Sequence, residues 1–375
     1  MLGGHGGNIY KTARDLGCSP DEIIDMSNNI NPLGPPPGLL EHLKANISVS
    51  TRLPEVDSAD TVKQFAGYLG IDSNGILAGN GTTQFIYEIP QILGTRRAAV
   101  LGPTYSDYAD ACNLRGVPIS RVTADESAAF LPDLGCLEKS IGNVDTVFLC
   151  NPNNPTGAYI DRTELKSVCE CHPDTRFIID ESYLPFVEGG RAKSMVAVGL
   201  KNVIVLLSIS KIFAIPGLRI GFIAAPANVI DRFRRYLLPW SVNSLAQTAV
   251  HYLTVNEIPI RSFIDKTRRF VQLQREEFDN LVKHTPSIKF FPSTTPFFLA
   301  KLPASMSAGS AWARLAGEKI LIRNCSNFDG LSDRFIRISL KSREANRVLA
   351  QKLAVLAESS VNSRRFFERK HTVRV

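Results

Sequence analysis

The sequence lacks the features of membrane, secreted and disordered proteins. None of the apolar runs in its 375 residues approaches the ~20 residues needed to cross a bilayer. The N-terminus has no charged stretch followed by an apolar one, the pattern of a secretory signal. Charged residues make up 21% of the chain and hydrophobic residues 44%, as in globular proteins. We therefore predict a cytoplasmic protein of about two domains.

Cysteine is scarce and shows no pairing pattern. The seven cysteines are scattered without a Cys-x-x-Cys pair, and an odd number does not suit a disulfide framework. The nearest approach to a metal motif, CECH at residues 169–172, has no second pair of ligands downstream. We predict reduced thiols and no metal site.

The net charge of +7 comes largely from one end of the chain. Residues 361–375 carry five basic residues against one glutamate, so the rest of the chain is nearly balanced. No zinc-finger spacing, aromatic RNA-binding signature or helix-turn-helix pattern accompanies this basic tail. We predict no nucleic-acid and no membrane partner. The slightly basic body suits an anionic small molecule.

Short apolar runs alternate with segments of helical spacing in the first two thirds of the chain. The runs are AAVLG at 98–102, VDTVFLC at 144–150, RFIID at 176–180, VIVLLS at 203–208 and RIGFIAA at 219–225. Strands that alternate with helices form a mainly parallel sheet with helices on both faces. We therefore predict a large α/β domain over residues 46–250.

The pattern changes in the last third. Residues 226–282 have the spacing of a long amphipathic helical region, and shorter alternating runs follow it. These runs predict a smaller α+β domain over residues 251–360, ahead of the basic tail. Residues 1–45 are predicted to form an N-terminal arm and part of that smaller domain.

Polar residues follow three of the predicted strands, where open α/β sheets bind ligands. NPNNPTG follows the strand that ends at Cys150, Asp180 ends the next strand, and Ser208 and Lys211 follow the third. A lysine in this place suits a Schiff base with an aldehyde coenzyme, commonly pyridoxal phosphate. Each cluster alone is more often an ordinary turn or cap. The prediction therefore depends on the whole set.

Such a coenzyme requires companion residues, beginning with donors for its phosphate. Hydroxyl, amide and guanidinium groups near a helix N-terminus suit that purpose, and the candidates are Gly81, Thr82, Thr83, Ser208, Ser210 and Arg219. A buried Asp180 would keep the ring nitrogen protonated. Asn154 and Tyr183 would donate to the ring oxygen, and Tyr105 would cover one ring face.

The set NPNNPTG, DESY, SISKIFAIPGLRIGF and FIRISL resembles fold-type I pyridoxal-phosphate enzymes of the aminotransferase class I/II group, over about residues 5–355. The resemblance implies an aspartate aminotransferase-like fold, pyridoxal 5′-phosphate as coenzyme and a homodimer with active sites at the subunit boundary. It implies that Lys211 binds the coenzyme and carries protons, that Asp180 partners the ring nitrogen and that Tyr105 stacks on the ring. Arg337 in FIRISL matches the family's arginine for the substrate α-carboxylate.

Two branches of this group remain candidates. The short motif spacing resembles histidinol-phosphate aminotransferases, whereas GGHGGNIYKTARDLG, DMSNNINPLGPPPG and IRNCSNFDGL resemble threonine-phosphate decarboxylases of cobalamin biosynthesis. The second resemblance implies a set of substrate-binding residues: His5, Gly6, Asn29, Asn154, Arg323 and Arg337. A phosphorylated amino acid has two anionic ends, which two arginines can hold.

We favour a lyase that decarboxylates O-phospho-L-threonine to aminopropanol phosphate. The alternatives are a histidinol-phosphate-type aminotransferase, a decarboxylase of O-phospho-L-serine and, from another class, a non-catalytic ligand sensor. The bond that breaks at the substrate α-carbon must stand perpendicular to the coenzyme ring, and the anion-binding residues set that orientation. The sequence gives the identity of these residues but not their positions.

One residue departs from both branches. Their members have a Tyr-Pro pair where this chain has TRLPEVD, so Leu53 replaces a tyrosine that reaches across the dimer to the coenzyme phosphate. We expect the loss of that hydrogen bond to weaken coenzyme binding by about 1 kcal/mol.

Overall fold

The structure is a computed structural model that describes residues 8–371 except 284 and 286. Its α-helices are α1 (Ile9–Leu16), α2 (Leu39–Ala45), α3 (Ala59–Leu69), α4 (Thr82–Leu93), α5 (Asp107–Leu114), α6 (Leu134–Ile141), α7 (Arg162–Cys171), α8 (Ala227–Arg234), α9 (Ser244–Val255), α10 (Glu257–Val282), α11 (Ala308–Gly317) and α12 (Arg343–His371). Its strands are β1 (Ile24–Asp25), β2 (Ile76–Gly79), β3 (Ala98–Gly102), β4 (Ile119–Thr123), β5 (Thr146–Cys150), β6 (Arg176–Asp180), β7 (Val203–Leu207), β8 (Gly221–Ala224), β9 (Lys289–Phe290), β10 (Phe297–Lys301), β11 (Ile320–Leu321), β12 (Arg323–Asn324) and β13 (Phe335–Ser339).

A seven-stranded sheet forms the centre of the protein, with strand order β2-β8-β7-β6-β5-β3-β4. Strands β4, β3, β5, β6 and β7 pair in parallel, and β8 runs antiparallel to both of its neighbours. All five residues of β5 are buried, because helices cover both faces of a sheet of this type. The predicted α/β architecture with a mainly parallel sheet is confirmed.

A smaller antiparallel sheet follows, with strand order β12-β13-β10-β9. Helices α10 and α12 pack against each other beside it. The short strand β1 near the N-terminus pairs in parallel with β11, so an early segment joins the late part of the chain. The predicted fold class, an α/β unit with a smaller α+β part, is therefore confirmed. The domain boundaries themselves stay a prediction.

The region predicted to be helical, residues 226–282, is helical but not continuous. The structure has three helices there, α8, α9 and α10, and residues 235–243 separate the first two. Pro239 cannot donate the amide hydrogen that a helix requires, and Trp240 adopts a positive φ of 58°. The Asn243 side chain then accepts a hydrogen bond from the Ala246 amide and caps α9.

Helix α12 continues into the predicted basic tail as far as His371. Within the described ranges no helix combines the length and the apolar character required to span a bilayer. The cytoplasmic location stays a prediction. All seven cysteines are free thiols.

Candidate active site

A cavity of about 470 Å³ opens at the carboxyl ends of β5, β6 and β7. All predicted coenzyme-binding and substrate-binding residues that lie within the described ranges line this cavity: Asn29, Gly81, Thr82, Thr83, Tyr105, Asn154, Asp180, Tyr183, Ser208, Ser210, Lys211, Arg219, Arg323 and Arg337. His5 and Gly6 lie outside the described residues. The fold thus brings together side chains from positions 29 to 337, as expected where parallel strands end at one edge.

One end of the cavity is formed by the first turn of α4. Gly81 precedes this helix with φ 76°, and no side chain caps the helix start. The first backbone amides of a helix have no partner within it and favour anions. Arg219 lies beside this turn, because a Cβ at Gly81 would be 2.7 Å from its Nη2 atom. The glycine therefore leaves the room that a phosphate between amides and guanidinium requires.

Arg219 itself has a backbone conformation that side chains rarely adopt, with φ 54°. The surrounding loop holds it in place, since Asn243 Nδ2 donates to the Leu218 carbonyl at 2.7 Å. Ser210 Oγ donates to the Ile220 carbonyl at 3.2 Å and closes the same loop. Backbone strain that the surroundings maintain is typical of functional loops.

Lys211 follows β7 and lies in the middle of the cavity wall. Burial, reinforced by the positive charges of Arg337 and Arg219, lowers the pKa of Lys211 to about 8. A larger fraction of the amine is therefore neutral at physiological pH than for an ordinary lysine, and the neutral form is the nucleophile. The Lys211 carbonyl accepts from the Asn31 amide at 2.9 Å, so the N-terminal segment packs against this lysine.

Asp180 ends β6 and is buried. Its carboxylate accepts from the Ser182 amide at 2.9 Å and from Tyr108 OH at 2.8 Å. Burial raises the pKa of Asp180, and these two hydrogen bonds oppose that rise. A buried carboxylate of this kind is stabilised by a cationic partner, which a protonated ring nitrogen would supply.

Tyr105, Asn154 and Tyr183 also line the cavity, where a coenzyme ring held by Lys211 and Asp180 would lie. The Tyr105 ring lies edge-on to Tyr108, with centroids 5.7 Å apart. Tyr183 is buried, and its hydroxyl accepts from Asn29 Nδ2 at 3.0 Å. Asn154 is also buried, and its Oδ1 atom accepts a hydrogen bond from Arg337. These contacts link the coenzyme side of the cavity to the predicted substrate side.

Two buried arginines form the far end of the cavity. Arg323 on β12 is directly opposite Arg337 on β13 across the antiparallel pair, and the two residues are 9% and 5% exposed. Arg323 donates to Asn327 Oδ1 at 2.7 Å, and Arg337 donates to the Ser27 carbonyl at 2.7 Å. Like charges directly opposite on neighbouring strands are destabilising. An anionic ligand would remove that penalty.

Burial lowers the pKa of both guanidinium groups, that of Arg323 to about 10. The Nε atom of Arg337 is buried without a hydrogen-bond partner, which is costly unless a ligand supplies one. Each guanidinium lies over an aromatic ring, Arg323 over Phe328 at 5.1 Å and Arg337 over Phe297 at 5.2 Å. The rings fix the planes of the two cations.

The described donor set fits pyridoxal phosphate. The open helix start with its glycine and Arg219 matches a phosphate, Lys211 matches an aldehyde, and Asp180 matches a protonated ring nitrogen. When bound, the coenzyme supplies an electron sink for the pair of electrons left at the substrate α-carbon. The roles of the individual residues are proposals.

Sequence reasoning did not identify several residues of this cavity. Tyr108 contacts Asp180, and Asn327 orients Arg323. The three-residue spacing of Tyr105 and Tyr108 next to a predicted strand end was the available signal for the first. Asp25 and Asn28 also line the cavity, and nothing in the sequence pattern distinguishes them from a polar turn.

Leu53, the departure from the family pattern, is 74% exposed. It does not line the described part of the cavity. The carbonyl of the preceding residue, Arg52, accepts a hydrogen bond from Ser244 Oγ at 3.4 Å. Ser244 follows Asn243, which contacts the loop beside Arg219. Within one chain Leu53 therefore takes no part in the phosphate cradle.

Known proteins provide an independent comparison. A threonine-phosphate decarboxylase of Salmonella typhimurium is 31% identical over 352 residues, covering 92% of this chain and 94% of that protein. The bifunctional protein CobDQ of adenosylcobalamin biosynthesis from Leptospira interrogans is 31% identical over 348 residues, and the chain spans 40% of its length. A histidinol-phosphate aminotransferase of Methanococcus maripaludis is 26% identical over 350 residues, covering 92% of this chain and 93% of that protein.

Solved structures agree with these relatives. The crystal structure of an L-threonine-O-3-phosphate decarboxylase from Porphyromonas gingivalis superposes with a TM-score of 0.80 at 29% identity, covering 90% of this chain and 100% of that chain. The sequence profile described as aminotransferase class I and II matches residues 21–353. The chain therefore belongs to the aminotransferase class I and II family, and its cofactor is pyridoxal 5′-phosphate.

Proposed function

We propose that the protein is a pyridoxal-phosphate-dependent lyase that decarboxylates O-phospho-L-threonine to aminopropanol phosphate for cobalamin biosynthesis. The observation that carries this proposal is the pair of buried, opposed arginines at the far end of the cavity, Arg323 and Arg337. Two adjacent guanidinium groups suit a substrate with two anionic ends, and a phosphorylated amino acid has a carboxylate and a phosphate.

The charge balance of the cavity supports the same substrate class. Among the described residues that line it, the carboxylates are Asp25 and Asp180, against the cations Lys211, Arg219, Arg323 and Arg337. In this proposal Asp180 and Lys211 bind the coenzyme ring nitrogen and aldehyde, and Arg219 binds the coenzyme phosphate. Asp25 then remains as the single carboxylate beside the two substrate arginines, so an anion is required for balance.

Arg337, Arg323 and Lys211 have distinct roles in the proposed reaction. Arg337, buried and linked to Asn154, binds the substrate α-carboxylate, and Arg323 binds the more distant phosphate. This clamp fixes the rotation of the substrate about its α-carbon, which decides whether the carboxylate or the hydrogen leaves. After carbon dioxide leaves, the amine of Lys211 delivers the proton that replaces it.

Purified holoenzyme tests the proposal directly. We expect O-phospho-L-threonine to release one carbon dioxide per turnover without an added keto acid, and unphosphorylated L-threonine to react at least about 100-fold more slowly, because Arg323 then has no partner. O-Phospho-L-serine lacks one methyl group, so we expect its kcat/KM to be only about 10-fold lower than that of O-phospho-L-threonine. Absence of carbon dioxide release from the phosphorylated substrate would refute the decarboxylase.

The alternative is a histidinol-phosphate-type aminotransferase. The relative from Methanococcus maripaludis, similar over nearly the whole chain, favours it. The same Lys211 and Asp180 would serve that reaction, so the assay must separate the two outcomes. Histidinol phosphate with 2-oxoglutarate would then produce glutamate and no carbon dioxide, whereas the decarboxylase would leave 2-oxoglutarate unchanged.

We also infer that the protein works as a homodimer. Leu53, Val56, Tyr236, Leu238 and Trp240 are exposed apolar residues, here called the 53–240 patch. Its two segments are joined, because the Trp240 amide donates to the Val56 carbonyl at 2.9 Å. Contiguous exposed apolar residues are typical of an interface, and a second copy of the chain is the partner that the family resemblance implies.

The dimer has its own test. We expect Leu53→Glu to lower the mass measured by light scattering from two chains towards one and to weaken coenzyme binding. Leu114→Glu is the matched control, since Leu114 is 68% exposed at the end of α5, outside the two segments of the patch, and its replacement should leave the mass unchanged. A wild-type mass of one chain would refute the homodimer.

A further inference from the structure

Lys341 is a partly buried cation that the proposed mechanism does not use. It follows β13, and its Nζ donates to Asn28 Oδ1 at 2.6 Å. Burial lowers the pKa of Lys341 to about 8; the Asp25 carboxylate opposes this change and the Arg337 guanidinium reinforces it. Lys341 therefore contacts a residue of the cavity wall, Asn28, and interacts electrostatically with an acid and an arginine that also line the cavity.

The hydrogen bonds around Asp25 indicate that role. Its Oδ1 atom accepts from the Ser27 amide at 2.9 Å and from Ser27 Oγ at 2.6 Å, and its Oδ2 atom accepts from Asn28 Nδ2 at 2.8 Å. Both carboxylate oxygens are thereby directed towards the segment that follows. Lys341 holds the other end of the Asn28 side chain. The acid is therefore restrained by Ser27 and by an asparagine that a lysine fixes.

Arg337 contacts the same segment. Its Nη2 atom donates to the Ser27 carbonyl, while the nearby Asp25 charge favours the guanidinium. An unrestrained Asp25 would form an ion pair with Arg337 and compete with the substrate carboxylate. The chain instead keeps the acid bonded to Ser27 and Asn28 and places a second cation beside it.

We propose that Lys341 is a positioning residue that, through Asn28, holds the Asp25 carboxylate away from Arg337 and so prevents Arg337 from pairing with an acid of this chain in place of the anionic substrate. This inference rests on the proposed function for the identity of the substrate. It concerns the affinity for any ligand whose carboxylate binds Arg337. It does not place Lys341 among the groups that touch the reacting atoms.

The test is a double-mutant cycle in the holoenzyme. Lys341→Met should raise the KM for O-phospho-L-threonine about tenfold and change kcat less than threefold, because Arg337 becomes paired with Asp25. Asp25→Asn removes the competing charge, so the double variant Lys341→Met/Asp25→Asn should return the KM to within threefold of the wild type. A general structural role for Lys341 would give no such rescue.

Conservative and control variants complete the design. Lys341→Arg keeps the charge and should have nearly wild-type KM, and Lys341→Gln should resemble Lys341→Met and provides a second neutral variant if the first fails to fold. Lys352→Met is the matched control, since Lys352 is also partly exposed and pairs with Glu318 rather than with a residue of the cavity. Unchanged KM in both neutral variants, or a loss that Asp25→Asn leaves unaltered, would overturn the inference.

The two proposals can fail separately. If the wild type neither binds nor decarboxylates O-phospho-L-threonine, the proposed function is wrong. The cycle is then repeated with L-glutamate as the probe, following the change in coenzyme absorbance, because its α-carboxylate would bind the same arginine. Rescue by Asp25→Asn with that probe supports the Lys341 inference, and absence of rescue refutes it.

Discussion

Replacement of Arg323 by methionine should leave the coenzyme-free protein about as stable as the wild type but make the enzyme nearly inactive. Arg323 is buried opposite Arg337. Burial, with a smaller contribution from the Arg337 charge, lowers its pKa to about 10. A lowering of this size corresponds to a cost of about 3 kcal/mol for keeping the charged side chain folded. Because the folded-state pKa is the lower one, this cost is fully present at neutral pH and is relieved only as the pH rises through about 10.

Methionine removes that cost and two favourable contacts with it. The hydrogen bond from the charged guanidinium to Asn327 is worth ~1.5–3 kcal/mol, and the position over the Phe328 ring is worth ~0.5–1 kcal/mol. Methionine fills a similar volume, so no large cavity results. The gain and the losses nearly cancel, so we expect the free energy of unfolding at pH 7 to stay within about 1 kcal/mol of the wild-type value. The loss of a buried cation that binds the substrate phosphate should lower kcat/KM about 10²- to 10³-fold.

Urea unfolding of the coenzyme-free protein and steady-state kinetics of the holoenzyme measure the two effects. Inorganic phosphate at ten times its dissociation constant should stabilise the wild type by about 1.4 kcal/mol and the variant by much less. Arg121→Met is the control, because this exposed residue pairs with Asp329 and such pairs contribute about 0–1 kcal/mol. A variant less stable than the wild type by more than about 2 kcal/mol, or one with kcat/KM within threefold of it, would refute the reasoning.

Three further predictions concern the coenzyme. Lys211→Ala should abolish both turnover and the imine absorbance of the purified protein, and activity retained by this variant would remove Lys211 from the mechanism. Tyr108→Phe removes a 2.8 Å hydrogen bond to Asp180 and should lower kcat about tenfold, since a bond to a charged group is worth ~1.5–3 kcal/mol; equal kcat in the two proteins would contradict this role. Gly81→Ala places a Cβ 2.7 Å from Arg219 Nη2 at a residue with φ 76°. It should weaken coenzyme binding at least about tenfold by equilibrium dialysis, because the strain of a positive φ adds ~1–2 kcal/mol to the displacement of Arg219. Unaltered affinity would show that the cradle tolerates a methyl group.

The alternation of apolar runs and helical segments determined the central fold. Strands such as Thr146–Cys150 are apolar on both faces, and a chain of this pattern has few ways to bury them other than a helix-covered parallel sheet. The break within residues 226–282 was harder to predict from the sequence. Helical periodicity continues across it, and only Pro239 and the Asn243 cap mark the interruption.

Local chemistry also determined the coenzyme side of the cavity, because each residue there follows its own strand. Lys211, Asp180 and Asn154 occur just after apolar runs, so their meeting at one sheet edge follows from strand direction alone.

The substrate side was decided only in three dimensions. The sequence supplied Arg323 and Arg337 as candidates, but their direct opposition depends on the antiparallel register of β12 and β13. The contact of Lys341 with Asn28 joins positions 313 residues apart, and no periodicity reports such a pair. Side-chain identities and strand order are local properties of a chain, whereas the balance of charges around a bound anion depends on packing between distant segments.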